Sequence, residues 1–329
     1  TDEELFAATG FDADDVRGLI LDVRGNGSGG AGAEAREAEI EQIHDLWKAE
    51  LGDLWIIPSL AGTGAHRLLC GDSTAQASVT RLLAGARPNL MATDPPYGVE
   101  YDPEWRAEYD EQRGKPDTHH HTGTVKNDDI VDWTPALALF PGNVMYVWHA
   151  GIYAPEVGMS IKNCGFDIRA QLIWNKASLV MSRGAYHWKH EPFYYAVRKG
   201  QRANWNGDRT QSTVWDMPNM SAVRKDKDGE DQPTGHSTQK PIEAYRRQIV
   251  NHTVPGEAVY DPFSGAATMI VAAELTGRVG LGIELDPRYI SLSLQRFVDM
   301  GMSPVRLETA ENQKDSGIVS ESAVQVENV

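Results

Sequence analysis

The sequence predicts an α/β fold, a mostly parallel sheet covered by helices on both faces. Two observations carry that expectation. Apolar runs of strand length alternate along the chain with segments of helical character, and one stretch reads in succession as strand, small-residue turn, helix, strand and acid. With 329 residues, 41% of them hydrophobic, the chain can also bury a large core, as one α/β domain with insertions or as two domains.

Residues 1–24 read as a short helical remnant, and Gly25 to Gly32 as a flexible linker. The catalytic body is expected over 33–306. It opens with a helix over 33–51, whose Ile40, Ile43, Leu46 and Trp47 fall on one face. A strand over 67–72 ends at Gly71 and Asp72, a helix covers 79–83, and the next strand covers 89–94. Further strands are expected at 143–148, 168–174, 191–197, 258–261 and 279–284, with helices between several of them. The stretches 98–130 and 200–235, rich in Gly, Pro, Asp, Asn, His and Lys, are too long for simple connectors and are expected as functional or partly disordered loops, with 98–130 and 178–235 as the loop and target-recognition inserts of the domain. His119, His120 and His121 in the first of them suit a flexible polar loop better than a metal site. From 307 onward the chain is polar and acidic, and a disordered tail is expected.

Lys and Arg number 31 against 47 Asp and Glu, a net charge of −16. Such a balance argues against a nucleic-acid partner until it is divided along the chain. Residues 1–50 carry −9 and 307–329 carry −4, whereas 169–227 carry +7. In that basic stretch Arg183, Lys189, Arg198, Lys199, Arg202 and Arg209 are interleaved with Tyr186, Trp188 and Trp205, a pattern suited to facing phosphates; a solvated charged face is the alternative. Cys70 and Cys164 are the only cysteines and lack zinc-type spacing, which argues against a disulfide framework or structural metal and fits a reducing cytoplasm. No apolar run reaches the ~20 residues of a membrane span.

The segment Met91 to Tyr97 ends in Asp94, Pro95, Pro96 and Tyr97, a set of residues suited to methylating a base amine. An exocyclic amine is a poor nucleophile because its lone pair is delocalised into the ring. Asp94 can accept one amine hydrogen. The prolines restrict the backbone, so that Asp94 and the Pro95 carbonyl can face one point at a strand end, the carbonyl taking the second hydrogen. Tyr97 offers a face on which a base turned out of the duplex can stack. A rigid turn capping a strand is the bland reading of the same residues.

The second constellation runs from Val259 through Asp261, Phe263, Ser264 and Gly265 to Thr268, then through an apolar helix over 269–275 to a strand ending at Glu284. This is the layout of a nucleoside-binding βαβ unit. Glu284 lies 19 residues beyond Gly265, close to the ~20 expected of an acid that grips ribose hydroxyls. The GxGxxG pattern that cradles a pyrophosphate is absent, so a nucleoside cofactor without phosphates fits better. S-adenosylmethionine is such a molecule, and its cationic groups suit Asp261.

Together these segments resemble the β class of DNA amino-methyltransferases, in which the catalytic motif precedes the cofactor motif. Asp94-Pro95-Pro96-Tyr97 is similar to the DPPY motif, and His236-Ser237-Thr238-Gln239-Lys240-Pro241 to the H-x-T-Q-K-P segment. Asp261-Pro262-Phe263-Ser264-Gly265 is similar to the D-P-F-x-G loop, and Gly282-Ile283-Glu284-Leu285-Asp286 to the acidic strand end, all in the family's order. Leu69 to Asp72 and Trp174 to Lys176 resemble further segments, so the likeness spans 50–300.

The resemblance implies a Rossmann-like S-adenosylmethionine-dependent methyltransferase fold with an inserted target-recognition segment, acting on double-stranded DNA without a metal. It assigns the target base to Asp94, Pro95, Pro96 and Tyr97. To the cofactor it assigns Asp261, Phe263, Ser264, Gly265, Ala267, Thr268, Glu284 and Asp286, with Thr238, Gln239 and Lys240 bordering the methionine end and Asp72 a candidate for the adenine amine. Adenine N6 is the expected target, with N4 of cytosine the rival and a catalytically weak DNA-binding module a third reading. A homodimer and a restriction endonuclease partner stay open. One departure stands out: the family usually has D-P-F-x-G-[S/T]-G-T, and here Ala266 and Ala267 precede Thr268, adding a methyl group at a tight turn. Residues 1–24 faintly resemble the end of a ParB-like domain.

Overall fold

A computed structural model describes residues 31–97, 130–180, 186–217 and 240–307. Its helices are α1 (Ala31–Trp47), α2 (Gln76–Leu83), α3 (Thr134–Leu137), α4 (Ala154–Asn163), α5 (Ile242–His252), α6 (Thr268–Leu275) and α7 (Pro287–Asp299). Its strands are β1 (Leu54–Pro58), β2 (Ala65–Cys70), β3 (Leu90–Thr93), β4 (Val144–Trp148), β5 (Phe166–Val180), β6 (Trp188–Arg198), β7 (Val214–Met217), β8 (Ala258–Asp261), β9 (Val279–Glu284) and β10 (Val305–Leu307). They form one sheet in the order β10-β1-β2-β9-β8-β3-β4-β6-β5-β7.

The middle of that sheet, β2-β9-β8-β3-β4, is parallel throughout, and antiparallel pairings flank it on both sides. Its strands are buried on both faces, which is why β3 and β4 are apolar at nearly every position. One hydrophobic cluster gathers Leu90, Ala92, Val144, Tyr146 and Trp148 beneath α5 and α6; the alternate residues Met91, Met145 and Val147 face the second cluster with Ile161 and Phe166. From β3 the chain proceeds outward to β4, and from β8 it proceeds the opposite way to β9. Between β3 and β8 the strand order therefore reverses, and crevices for ligands open at the carboxyl ends of strands at such a point.

The helix expected over 33–51 runs from Ala31 to Trp47 and packs on α7, with His44 Nδ1 3.0 Å from Ser291 Oγ and Trp47 Nε1 donating to Gln295 at 3.3 Å. β5 extends well past the expected 168–174. Its hairpin with β6 continues to the Val180 and Trp188 pair, whereas β4 stops at Trp148, opposite Phe193. The hairpin thus overhangs the carboxyl edge of the parallel strands. β6 and β7 fall within the 178–235 stretch expected as an insert, yet both belong to the main sheet. The short strands β1, β7 and β10 had no counterpart among the expected elements.

At the other end of β6, the Arg198 guanidinium donates to the Gly142 carbonyl at 2.8 Å and the Phe140 carbonyl at 2.7 Å, and lies 4.3 Å from the centre of the Phe166 ring. Its hydrogen bonds close the loop ahead of β4. We expect Arg198→Ala to lower unfolding free energy by about 2 kcal/mol in denaturant titration, because two carbonyls lose a charged donor. A loss below about 0.5 kcal/mol would show that the side chain is dispensable to the fold.

Candidate active site

β3 delivers Asp94 to the carboxyl edge of the sheet, and β8 delivers Asp261 beside it. The two are joined through Thr93, whose hydroxyl donates to Asp261 Oδ1 at 2.6 Å; the Phe263 N–H adds a second bond to the same oxygen at 3.0 Å. Asp261 Oδ2 is buried and has no hydrogen-bond partner among the described residues. Burial raises this carboxyl to about 7, overriding the two bonds that favour its charged form.

Asp94 has the same division of labour between its oxygens. Oδ2 accepts from Lys240 Nζ at 2.6 Å, while Oδ1 is buried without a partner among the described residues. Burial raises the Asp94 carboxyl, and the Lys240 charge opposes the shift. Lys240 itself is 4% exposed, bridges to Glu191 Oε2 at 3.0 Å, and lies 5.2 Å from the centres of the Tyr97 and Trp148 rings. Against the burial that would raise it, the Lys240 and Lys176 ammonium groups pull Glu191 down to about 2. The Tyr97 hydroxyl donates to Glu191 at 3.3 Å and is itself pushed well up, by burial and then by the Asp94 and Glu191 charges. Pro96 is anchored from a residue the sequence did not single out: Trp133 Nε1 donates to its carbonyl at 3.0 Å, and the same indole meets Phe263 edge-on at 4.6 Å.

On the β8–α6 side, the Gly265 N–H donates to Glu284 Oε2 at 2.8 Å and the Asp286 N–H to Oε1 at 2.8 Å, while burial raises the Glu284 carboxyl. Ser264 Oγ is buried and has no partner among the described residues. Gly282 opposite must lack a side chain, since a Cβ there would stand 2.6 Å from Ser264 Oγ. Thr268 Oγ1 accepts from Arg296 at 3.2 Å, and Asp286 caps α7 by accepting the Arg288 N–H at 3.0 Å. Asp72 is exposed at the same edge beyond β2, accepting from the Thr74 N–H and hydroxyl.

Thus the two groups of motifs meet across the β3–β8 junction, a carboxylate oxygen without a partner on each side. A family model described as DNA methylase matches residues 89–295. The chain belongs to that family. The DNA adenine methyltransferase YhdJ of Escherichia coli (strain K12) is 23% identical over 278 residues, covering 73% of this chain and 85% of its own. Type II methyltransferase M.HinfI of Haemophilus influenzae is 25% identical over 236 residues, 67% of this chain and 66% of its own. Among solved structures, the M1.HpyAVI–SAM complex superposes with a TM-score of 0.50 at 18% identity, covering 70% of this chain and 97% of that one. PvuII DNA methyltransferase (cytosine-N4-specific) also gives 0.50 at 18% identity, covering 72% and 88%. At such identities the structural likeness concerns the fold.

In this methylase the residues expected to meet the cofactor divide. Asp261, Phe263, Ser264, Gly265 and Glu284 line one edge, whereas Lys240 sits on Asp94, Asp286 is engaged as a helix cap, and Ala267 and Thr268 are enclosed at the start of α6. Thr238 and Gln239 lie outside the described residues, as does Arg183. The residues expected to face phosphates divide as well. Lys189 is exposed on the overhanging hairpin. Arg198 and Lys199 lie at the opposite edge of the sheet, seven residues and about 23 Å along β6 from Glu191. Arg202 and Arg209 are exposed in the loop after β6, which the Gln211–Asn251 bonds fasten near the end of α5. The charge count could not separate the two ends of one strand.

Ala267 adopts φ 57 and ψ 32, the left-handed region, with its methyl group wholly buried and no side-chain cap for α6. The family's second glycine suits that backbone; alanine is strained there. Ala267→Gly is therefore expected to raise stability by about 0.5–1 kcal/mol, and Ala267→Val to lower it by more than about 2 kcal/mol, since a β-branched side chain tolerates neither the conformation nor the space. Denaturant melts of the three proteins measure both. A Val variant as stable as the parent would contradict the left-handed turn.

Proposed function

We propose that this methylase transfers the methyl group of S-adenosylmethionine to N6 of adenine in double-stranded DNA. The observation that carries the reading is the buried, unpartnered Oδ1 of Asp94, a fixed acceptor at the strand end beside the cofactor edge. Accepting one amine hydrogen there, with the other taken by the Pro95 carbonyl, would draw the nitrogen lone pair out of the ring system and aim it. Tyr97 supplies the stacking face, held by the core packing beneath it and by its bond to Glu191.

The residues at the cofactor edge fit S-adenosylmethionine on observations independent of any relative. Asp261 Oδ2 lacks a partner, and a carboxyl raised to about 7 regains its charge when a cation arrives. Glu284 keeps acceptor capacity beyond its two backbone donors, which suits ribose hydroxyls. Phe263, backed by Trp133, offers an aromatic edge, and the missing side chain at Gly282 leaves Ser264 Oγ room. When bound, the cofactor supplies a methyl group on a positively charged sulfur; the chain orients the amine and receives the proton it releases.

For DNA, the support is Lys189 on the overhanging hairpin together with exposed Tyr186 and Trp188, on the edge where Asp94 opens. For adenine, the support is aspartate at the first position of the catalytic tetrapeptide and the adenine specificity in the name of the YhdJ relative. The test is transfer from methyl-labelled S-adenosylmethionine to unmethylated bacterial DNA, read by mass spectrometry of the digested nucleosides. Label is expected in N6-methyladenine, and Asp94→Ala should reduce it by a hundredfold or more while cofactor affinity stays within a few-fold. Label confined to N4-methylcytosine would overturn the base assignment, and no label in any nucleoside would overturn the reaction.

A further inference from the structure

Asp94 is one end of a line of four charges drawn from separate elements: Lys176 on β5, Glu191 on β6, Lys240 ahead of α5, and Asp94 after β3. Lys176 Nζ stands 2.5 Å from Glu191 Oε1, Glu191 Oε2 is 3.0 Å from Lys240 Nζ, and Lys240 Nζ is 2.6 Å from Asp94 Oδ2. The line is neutral as a whole, and its two central side chains are largely shielded, Lys240 at 3% and Glu191 at 23% exposure. A lysine so enclosed would be costly without both carboxylates. Its position, 5.2 Å from the Tyr97 and Trp148 ring centres, is fixed on the remaining sides by aromatic faces.

We propose that Glu191 is a positioning residue for methyl transfer: anchored by Lys176, it pins the Lys240 ammonium on Asp94 Oδ2, which fixes the carboxylate rotamer and leaves Oδ1 as the acceptor presented to the amine. The inference rests on the methyl-transfer reading above. It explains why one oxygen of Asp94 is engaged and the other unpartnered, and why a largely shielded glutamate sits on β6 next to the apolar and aromatic run from Pro192 to Val197. Lys240 then serves the base side of the site, through Asp94, rather than the methionine end of the cofactor.

The charged and titratable groups facing Asp94 are Lys240, Glu191 with Lys176 behind it, Tyr97, Tyr245 on α5, and Asp261 on β8. Among them Glu191 and Lys240 act on the Asp94 carboxyl with opposite sign, Glu191 raising it and Lys240 lowering it. Ionised Asp94 is the stronger acceptor of the amine hydrogen and can take up the proton that the amine releases, so activity rises with pH through its titration. Removing the Glu191 charge should move that limb to lower pH. Removing the Lys240 charge should move it to higher pH.

The experiment measures label transfer to unmethylated bacterial DNA by the parent, Glu191→Gln, Lys240→Met and Lys240→Arg, with S-adenosylmethionine affinity by calorimetry alongside. Glu191→Gln is expected to reduce kcat about tenfold to a hundredfold, with cofactor Kd within about twofold and the acid limb displaced downward. Lys240→Met should lose at least as much with the limb displaced upward, and Lys240→Arg should restore part of the rate. If Glu191→Gln fails to fold, Lys176→Met, which loosens Glu191 from the outer side, should reproduce a smaller loss. A parental kcat in Glu191→Gln, limbs that do not separate, or losses confined to cofactor affinity would overturn the positioning role while the parent's activity upholds methyl transfer. A parent that transfers no label would remove both.

Discussion

One buried hydroxyl, that of Thr93, ties the two functional halves of this protein together. It ends β3 one residue before Asp94 and donates at 2.6 Å to Asp261 at the end of β8, across a sequence separation of 168. Parallel pairing of β3 with β8 brings the strand ends side by side, Leu90 and Met91 opposite Val259 and Tyr260. Ligand crevices form at such reversals of strand order in open α/β sheets. Everything placed there, the tetrapeptide on one side and the β8–α6 turn on the other, depends on that register, because a one-residue slip would turn the Thr93 hydroxyl away from Asp261.

Burial determines the chemistry of the carboxylates gathered at this edge, and each is treated differently. Glu284 is occupied by two backbone N–H groups and shapes the turn after β8. Asp261 shares one oxygen with Thr93 and Phe263, and its other oxygen has no partner among the described residues. Asp94 is held by an ammonium on one oxygen and is available on the other. Uncompensated buried charge is costly, so such an edge is stable only with fixed partners. Lys240 and Lys176 provide them for Asp94 and Glu191, whereas no ion pair holds Asp261 or Glu284 among the described residues.

The elements legible in the sequence are those whose signal is local. The strands at 258–261 and 279–284 match the expected residues because they are short apolar runs bounded by turn residues, and the intervening helix begins where the small residues end. Asp94, Asp261 and Glu284 were found because each terminates such a run. Trp133 was missed because it reaches Pro96 across 37 residues, and nothing in its surroundings marks an anchor. Glu191 did carry a signal, an acid among Trp188, Phe193, Tyr194 and Tyr195, since charge is rarely buried in a strand unless paired. Charge and the interleaved aromatics point Arg198 toward a phosphate-facing surface, whereas the fold uses it to bind two carbonyls. The short strands β1, β7 and β10 are three to five residues long and gain their stability from neighbours, which local pattern cannot reveal.

On the proposed function, the base and cofactor sites form one chamber across the β3–β8 junction. A bisubstrate compound, adenine joined through its N6 nitrogen and a single carbon to the sulfur-bearing side chain of adenosylhomocysteine, tests it directly by calorimetry. Binding at least about a hundredfold tighter than that of adenosylhomocysteine alone is expected, with most of that gain lost in Asp94→Ala. Affinity no greater than that of adenosylhomocysteine, or a gain indifferent to Asp94, would contradict it.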